Sequence, residues 1–275
     1  VKMKHISSPH DKFFKAVFSN KAVATDFLNH YMPDELREHL DLSDVKIAKE
    51  SFVEEAQKEY FADLLYLVKL NDKKSYIYIL FEHKSSPDAD TALQLLCYMC
   101  RIWMLHRKQH KKGKLPPVLP VVIYHGKIKW RFGKRLMNIV DVYDKIVVKY
   151  LCDFPYFFID LAGLPDKKIR GGGLLKTAFL LLKNTGAEAL TKKLSGIVKL
   201  ITSVYHRNPD EKLIDVFIEY ILLAGRVPLK VILYFFRKYS TLEMRGKVMT
   251  TMEKLMLKSK KEGRIEGKRE GRREG

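Results

Sequence analysis

From Phe61 to Lys84 two apolar runs, FADLLYLVKL and SYIYILFEHK, flank the polar quartet Asn71-Asp72-Lys73-Lys74. Leu, Ile, Val, Tyr and Phe on both sides of a polar centre predict a β-hairpin. A symmetric turn on Asp72 and Lys73 pairs Asn71 with Lys74 and, counted outward, sets Asp63 opposite Glu82. Directly opposed residues on one face bring their Cβ atoms within roughly 4.5–5.5 Å. Lys84 stands two residues beyond Glu82 and so projects to the same face.

The rest of the pattern surrounds this hairpin. Ahead of it, Phe14, Val17 and Phe18 form the apolar face of a helix that Asp11 can cap. Asn20 caps a second helix, Lys21 to Tyr31, that buries Val23, Phe27 and Leu28; Pro33 stops it and a short helix follows over Asp34 to Leu40. Val45 to Val53 predicts the first strand, and Glu54, Glu55 and Glu59 a solvated connection. Behind the hairpin, Ser86 and Pro87 mark the start of a helix reaching about Lys108, with Leu93, Leu96, Trp103 and Met104 as packing residues. Val118 to Tyr124 is a continuous apolar run, as expected of a buried central strand. The helix between it and the hairpin is a crossover, which implies parallel pairing. Phe154 to Leu161 predicts a further strand, while Lys127 to Tyr150 shows no clear period.

Two carboxylates and an ammonium thus converge inside an apolar hairpin. Like charges at that spacing repel, and a divalent cation between them relieves the repulsion. Mg²⁺ takes carboxylate oxygens and keeps waters for a substrate phosphate. The neighbouring Lys84 can orient an attacking water and stabilise developing negative charge. An exposed strand end with a surface Glu–Lys pair is the plainer alternative, but it leaves the polar Asp63 inside FADLLYLV unexplained.

Asp on one strand, a hairpin, then Glu-x-Lys at the end of the next strand resembles the PD-(D/E)XK nuclease superfamily. One branch is closer still. His10-Asp11-Lys12-Phe13-Phe14-Lys15, Ser51-Phe52-Val53, Asp63-Leu64-Leu65-Tyr66 and Phe81-Glu82-His83-Lys84-Ser85-Ser86-Pro87-Asp88 resemble the Rpn family of recombination-promoting nucleases, also called YhgA-like putative transposases. Tyr98, Arg101-Ile102-Trp103, and Leu115-Pro116-Pro117-Val118 running to Tyr124-His125-Gly126 continue the pattern, which covers about His10 to Trp130. Ala62 stands where the wider superfamily has Pro, and Lys84 where many members of this branch have Gln. The resemblance implies a metal-dependent DNA endonuclease linked to recombination and transposition. Asp63 and Glu82 would hold Mg²⁺ (Mn²⁺ or Ca²⁺ being possible substitutes) and Lys84 would position the water. It further implies that Asp11 assists the metal site, the alternative being a plain helix cap. Gln94 and Tyr98, four apart on one helix face, would support the site and contact DNA; core packing is the alternative for Tyr98. A catalytically inactive DNA-binding or assembly protein, or a ribonuclease of the same fold, are the competing readings.

Charge and composition narrow the picture. Fifty-one Lys and Arg against thirty-two Asp and Glu leave a net charge of +19, which favours a polyanionic partner such as DNA. Arg107, Lys108, Lys111 and Lys112 in the basic stretch RKQHKKGK are candidates to track a phosphate backbone. No apolar run is long enough for a membrane span. The first ten residues lack the apolar core of a signal peptide, and three cysteines suit a reducing cytoplasm. Cys97-x-x-Cys100, unaccompanied and mid-helix, reads as a pair of buried small hydrophobes rather than a zinc site. Gly171-Gly172-Gly173 reads as a hinge into a helical region from Leu174 to Leu257, broken at Gly186, Asn208-Pro209 and Gly225 to Pro228. The tail from Lys258 repeats Glu-Gly between basic residues, a composition of low intrinsic order that could bind nucleic acid or mediate self-association. The expected architecture is a restriction-endonuclease-like α/β core over residues 5–165, with a mixed central sheet of at least four strands flanked by helices. A helical region over 166–257 and the tail over 258–275 follow. Homo-oligomers are a further possibility.

Overall fold

The structure, a computed structural model, describes residues 9–47, 64–70, 76–207 and 210–270, and the side chains of these outside 76–82, 258–259 and 262–270. The chain divides into two units, Phe14–Leu175 and a second made of Val1–Phe13 with Lys176–Gly275. The first unit is mixed α/β. Its elements are α1 (Pro9–Phe18, which begins in the other unit), α2 (Lys21–Tyr31), α3 (Asp34–Arg37), β1 (Leu40–Ile47), β2 (Leu64–Leu70), β3 (Tyr76–Lys84), α4 (Thr91–Gln109), β4 (Val118–Tyr124) and β5 (Phe157–Asp160). The strands form one sheet in the order β1-β2-β3-β4-β5. β1, β2 and β3 pair antiparallel, whereas β3, β4 and β5 run parallel.

Helices cover both faces of this sheet. On one, Ala92, Leu95, Met99 and Ile102 of α4 pack with Leu65 of β2, Val118 and Val122 of β4, and Leu136 and Tyr156. On the other, the Tyr66 hydroxyl donates 2.7 Å to the Phe18 carbonyl at the end of α1, and Phe14 stacks on His83 with ring centroids 4.5 Å apart. Asn20 caps α2 as the sequence predicts, its side-chain oxygen accepting from the amides of Ala22 and Val23. Pro120 lies inside β4 but one residue before the stretch that pairs with β5, where its missing N–H costs no ladder bond on that side.

Several elements differ from their sequence expectations. The first strand begins at Leu40, not Val45, because its register with β2 shifts between Asp41 and Lys46. That irregularity puts the buried positions Leu40 and Val45 five apart and hides the two-residue period. Helix α1 begins at Pro9, so Asp11 sits within its first turn rather than at the cap. On α4 the buried stripe is Ala92, Leu95, Met99 and Ile102, while Leu93 and Met104 are 47% and 67% exposed. Cys97 and Cys100, expected inside, are exposed as well. At the glycine triplet, Gly171 adopts φ +102°, a Cβ there would crowd Leu175 and Asp26, and the Gly172 amide donates 2.7 Å to Asp26; the division between the two units falls just after it, at Leu175.

The second unit contains most of α5 (Gly173–Lys183), with α6 (Ala187–Arg207), α7 (Glu211–Ala224), α8 (Leu229–Tyr239) and α9 (Leu242–Glu270). His10 and Phe13 belong to it. His10 Nδ1 lies 2.7 Å from the Tyr220 hydroxyl, and Phe13 meets the Tyr220 ring at 3.9 Å. Lys247 on α9 pairs with Glu211 at 3.0 Å and Asp215 at 3.3 Å of α7. The backbone of α9 continues as helix through Lys258–Glu270, where the sequence composition predicts little order.

Leu95 is completely buried between α4 and the sheet. Leu95→Ala is expected to lower unfolding free energy by about 2–5 kcal/mol in urea titrations at unchanged denaturant slope.

Candidate functional site

The register of β2 and β3 positions the candidate site. Leu64 pairs with Phe81, Leu65 with Leu80 and Lys69 with Tyr76, the alignment that the symmetric turn predicts. Asp63 against Glu82 is the next pair in that series, but Asp63 lies outside the described residues. Glu82 is paired along the parallel ladder with Val122, a residue of the core beneath α4. Lys84, the last residue of β3, pairs with Tyr124.

The Lys84 side chain, 14% exposed, is held from two sides. Its Nζ lies 3.0 Å from Asp88 Oδ2 and donates 2.6 Å to Gln94 Oε1, while Gln94 Nε2 donates 2.9 Å to the same Asp88 oxygen. Charge-assisted bonds of this kind offset the cost of taking an ammonium out of water. Burial raises the Asp88 pKa, but the hydrogen bond and charge of Lys84, with the Asp90 amide and Gln94, outweigh it and hold the carboxyl below its ordinary value. Asp88 also organises the chain, since its Oδ1 accepts from the Asp90 amide and its carbonyl from the Thr91 hydroxyl. The turn so formed delays the start of α4 to Thr91, past the predicted cap at Ser86.

The ends of β3 and β4 are knitted together. The His125 amide donates 3.0 Å to the Lys84 carbonyl, and a side chain at Gly126 would overlap the Ser85 carbonyl. His83 faces away from Lys84 and stacks on His125 with centroids 5.6 Å apart. Tyr156 stands nearby: burial pushes its hydroxyl up to about 12, Trp130 pulls it down and the Asp88 charge adds to the rise.

The structure brings Lys84 and Gln94 together and adds Asp88, which sequence reasoning passed over as part of a helix start. Its spacing of four residues from Lys84, in an Asp-x-Asp-Thr turn, was the available signal. Tyr98 is half-buried against the α4 core, the packing alternative. Asp11 belongs to the other unit from Glu82 and Lys84. Arg107 and Lys108, in the last turn of α4, and Lys111 and Lys112, just past its end, are exposed, and Arg107 lies about 20 Å along the helix from Gln94 at 1.5 Å per residue. They precede β4, whose first residue pairs with Tyr78 rather than with the Lys84 end. There Arg107 Nη1 donates 2.9 Å to the Gly113 carbonyl, in a turn where Gly113 adopts φ +107°. Among the described residues no group of three or more His, Cys, Asp or Glu converges as a metal site. Among them, too, no helix is long and apolar enough to cross a membrane.

The site is thus a Glu-x-Lys strand end followed by a crossover helix in a mixed α/β unit. Residues 8–212 match the family model described as "Putative transposase, YhgA-like", and the chain belongs to that family. It is similar to the recombination-promoting nuclease RpnD of Escherichia coli O157:H7, with 28% identity over 80% of this chain and 83% of the relative. It is 29% identical to the recombination-promoting nuclease RpnC of E. coli K12, over 72% and 66% of the two chains. The similarity extends to the inactive recombination-promoting nuclease-like protein RpnE of the same strain, 27% identical over 80% and 72%. No solved structure matches the chain.

The depressed pKa of Asp88 has a consequence for stability. A carboxyl whose folded pKa lies below its unfolded value stabilises the fold above the unfolded value, near 3.9, and loses that contribution as pH falls through the folded one. The stability difference between the wild type and Asp88→Asn is therefore expected to shrink as pH is lowered from about 4, measured by denaturant unfolding across the acid range.

Proposed function

We propose that this protein is a metal-dependent DNA endonuclease of the recombination-promoting type, with a restriction-endonuclease-like core over residues 5–165. The observation that carries the reading is the Lys84 ammonium, fixed by Asp88 and Gln94 two residues after Glu82 on a central strand. An ammonium held from two sides is immobilised, and an immobilised ammonium is what orienting a water or a phosphoryl oxygen requires. Family membership and the excess of basic residues support a nucleic-acid phosphodiester as substrate.

The donor set suits a hard divalent cation, since Asp63 and Glu82 offer carboxylate oxygens. These two residues would hold Mg²⁺, with Mn²⁺ or Ca²⁺ as substitutes, and the bound ion would supply charge neutralisation on the phosphate and a more acidic water. Lys84 then orients the nucleophilic water and faces the charge developing on the phosphoryl oxygens. Gln94 and Asp88 keep its ammonium from swinging into solvent. Asp88 is a positioning residue, as it acts through Lys84.

The second reading is an inactive DNA-binding protein, favoured by the relative that is described as inactive. A ribonuclease is the third, because nothing at such a site by itself reads a 2′-hydroxyl. Nicking of supercoiled plasmid with Mg²⁺, Mn²⁺ or EDTA separates them, with matched RNA alongside. Wild type is expected to nick only with metal, Asp63→Ala to abolish nicking, and Lys84→Ala to slow it about 10²–10³-fold with DNA affinity retained. Nicking that survives both substitutions would overturn this site. A folded wild type that binds DNA without cutting it with any metal would establish the inactive reading.

A further inference from the structure

Helix α4 is apolar on two faces. One carries Ala92, Leu95, Met99 and Ile102 into the core. The other lies about half a turn around at 100° per residue and consists of Leu93, Cys97, Cys100 and Met104, spaced four, three and four apart. All four are exposed. A helix covering a core on one side ordinarily turns polar residues to water on the other, so this stripe asks for a second cover. Its ends are charged in opposite senses. Asp90 precedes Leu93 and Lys108 follows Met104, both exposed, and eighteen residues or about five turns put them on the same edge of the stripe.

We propose that this stripe is the contact between two copies of the chain, with their α4 helices antiparallel about a two-fold axis near Tyr98. A two-fold interface must be complementary to itself, and this one is. Rotation lays Leu93 of one copy against Met104 of the other, gathers Cys97 and Cys100 at the axis, and sets Asp90 beside Lys108 at each end. An unrelated partner would require no such symmetry of the pattern. A helix of nineteen residues, about 28 Å long, gives a contact smaller than the roughly 1,200–2,000 Å² of stable complexes, so the dimer is reversible. This inference does not depend on the catalytic reading.

Sedimentation equilibrium of the full chain is expected to show dimer growing with concentration up to about 100 μM. Leu93→Glu combined with Met104→Glu is expected to leave a monomer with unchanged far-ultraviolet circular dichroism. Asp90→Lys or Lys108→Asp alone should weaken association about tenfold, and the two together restore it. A bis-maleimide should link wild type and Cys152→Ala into covalent dimers, but not Cys97→Ala combined with Cys100→Ala. A wild type that stays monomeric at that concentration, or a dimer indifferent to the two glutamates, overturns the proposal. So does a double charge reversal that fails to recover association.

Discussion

An ammonium withdrawn from water at the end of a strand needs compensation close at hand, and in this protein Asp88 and Gln94 provide it for Lys84. Much of the α/β unit follows from that requirement. To reach Lys84, the chain must turn at Asp88 before helix begins, which sets the start of α4 at Thr91 and with it the stripe that enters the core. The same helix carries Gln94 back over the strand it has left. A parallel β4 then returns beside β3, and its His125-Gly126 end fits against Lys84-Ser85 only because Gly126 has no side chain. The glycine and the turn are parts of one arrangement, although they lie far apart in sequence.

This arrangement explains why a single helix serves two purposes. The buried face of α4 ties β2, β4 and the segment around Tyr156 into one core, so the polar triad at its start rests on rigid support. Groups that orient a water must themselves be held, and the packing beneath Gln94 adds to the hydrogen bonds that hold Lys84 and Asp88. The helical unit has its own polar clasp, where Lys247 on α9 lies between Glu211 and Asp215 on α7. Burial lowers the Lys247 pKa, but the two carboxylates outweigh it and raise the value overall.

The hairpin and its register were legible because strand alternation and a short polar turn leave few alignments open, and Leu64 against Phe81 follows from counting. The crossover helix, the apolar β4 run and the helix Lys21–Tyr31 with its Asn20 cap were legible for the same reason. Errors arose where two periods competed or where a residue acted at a distance. In β1 the irregular register set Leu40 and Val45 out of phase, and alternation pointed to a later start. On α4 both faces are apolar, so hydrophobicity alone could not say whether Leu93 and Met104 or Leu95 and Ile102 face the sheet.

Taken alone, the sequence determined the pairing of the hairpin, the parallel crossover and the order of motifs that identifies the family, since all of these rest on local spacing. Tertiary structure decided which side of α4 is buried and that Asp88 holds Lys84. It also placed the basic residues after Arg107 at the opposite end of the strand pair. The division has a physical basis: propensity and period act over a few residues. The partner of a buried charge and the choice between two apolar faces are settled only when distant segments compete for the same space.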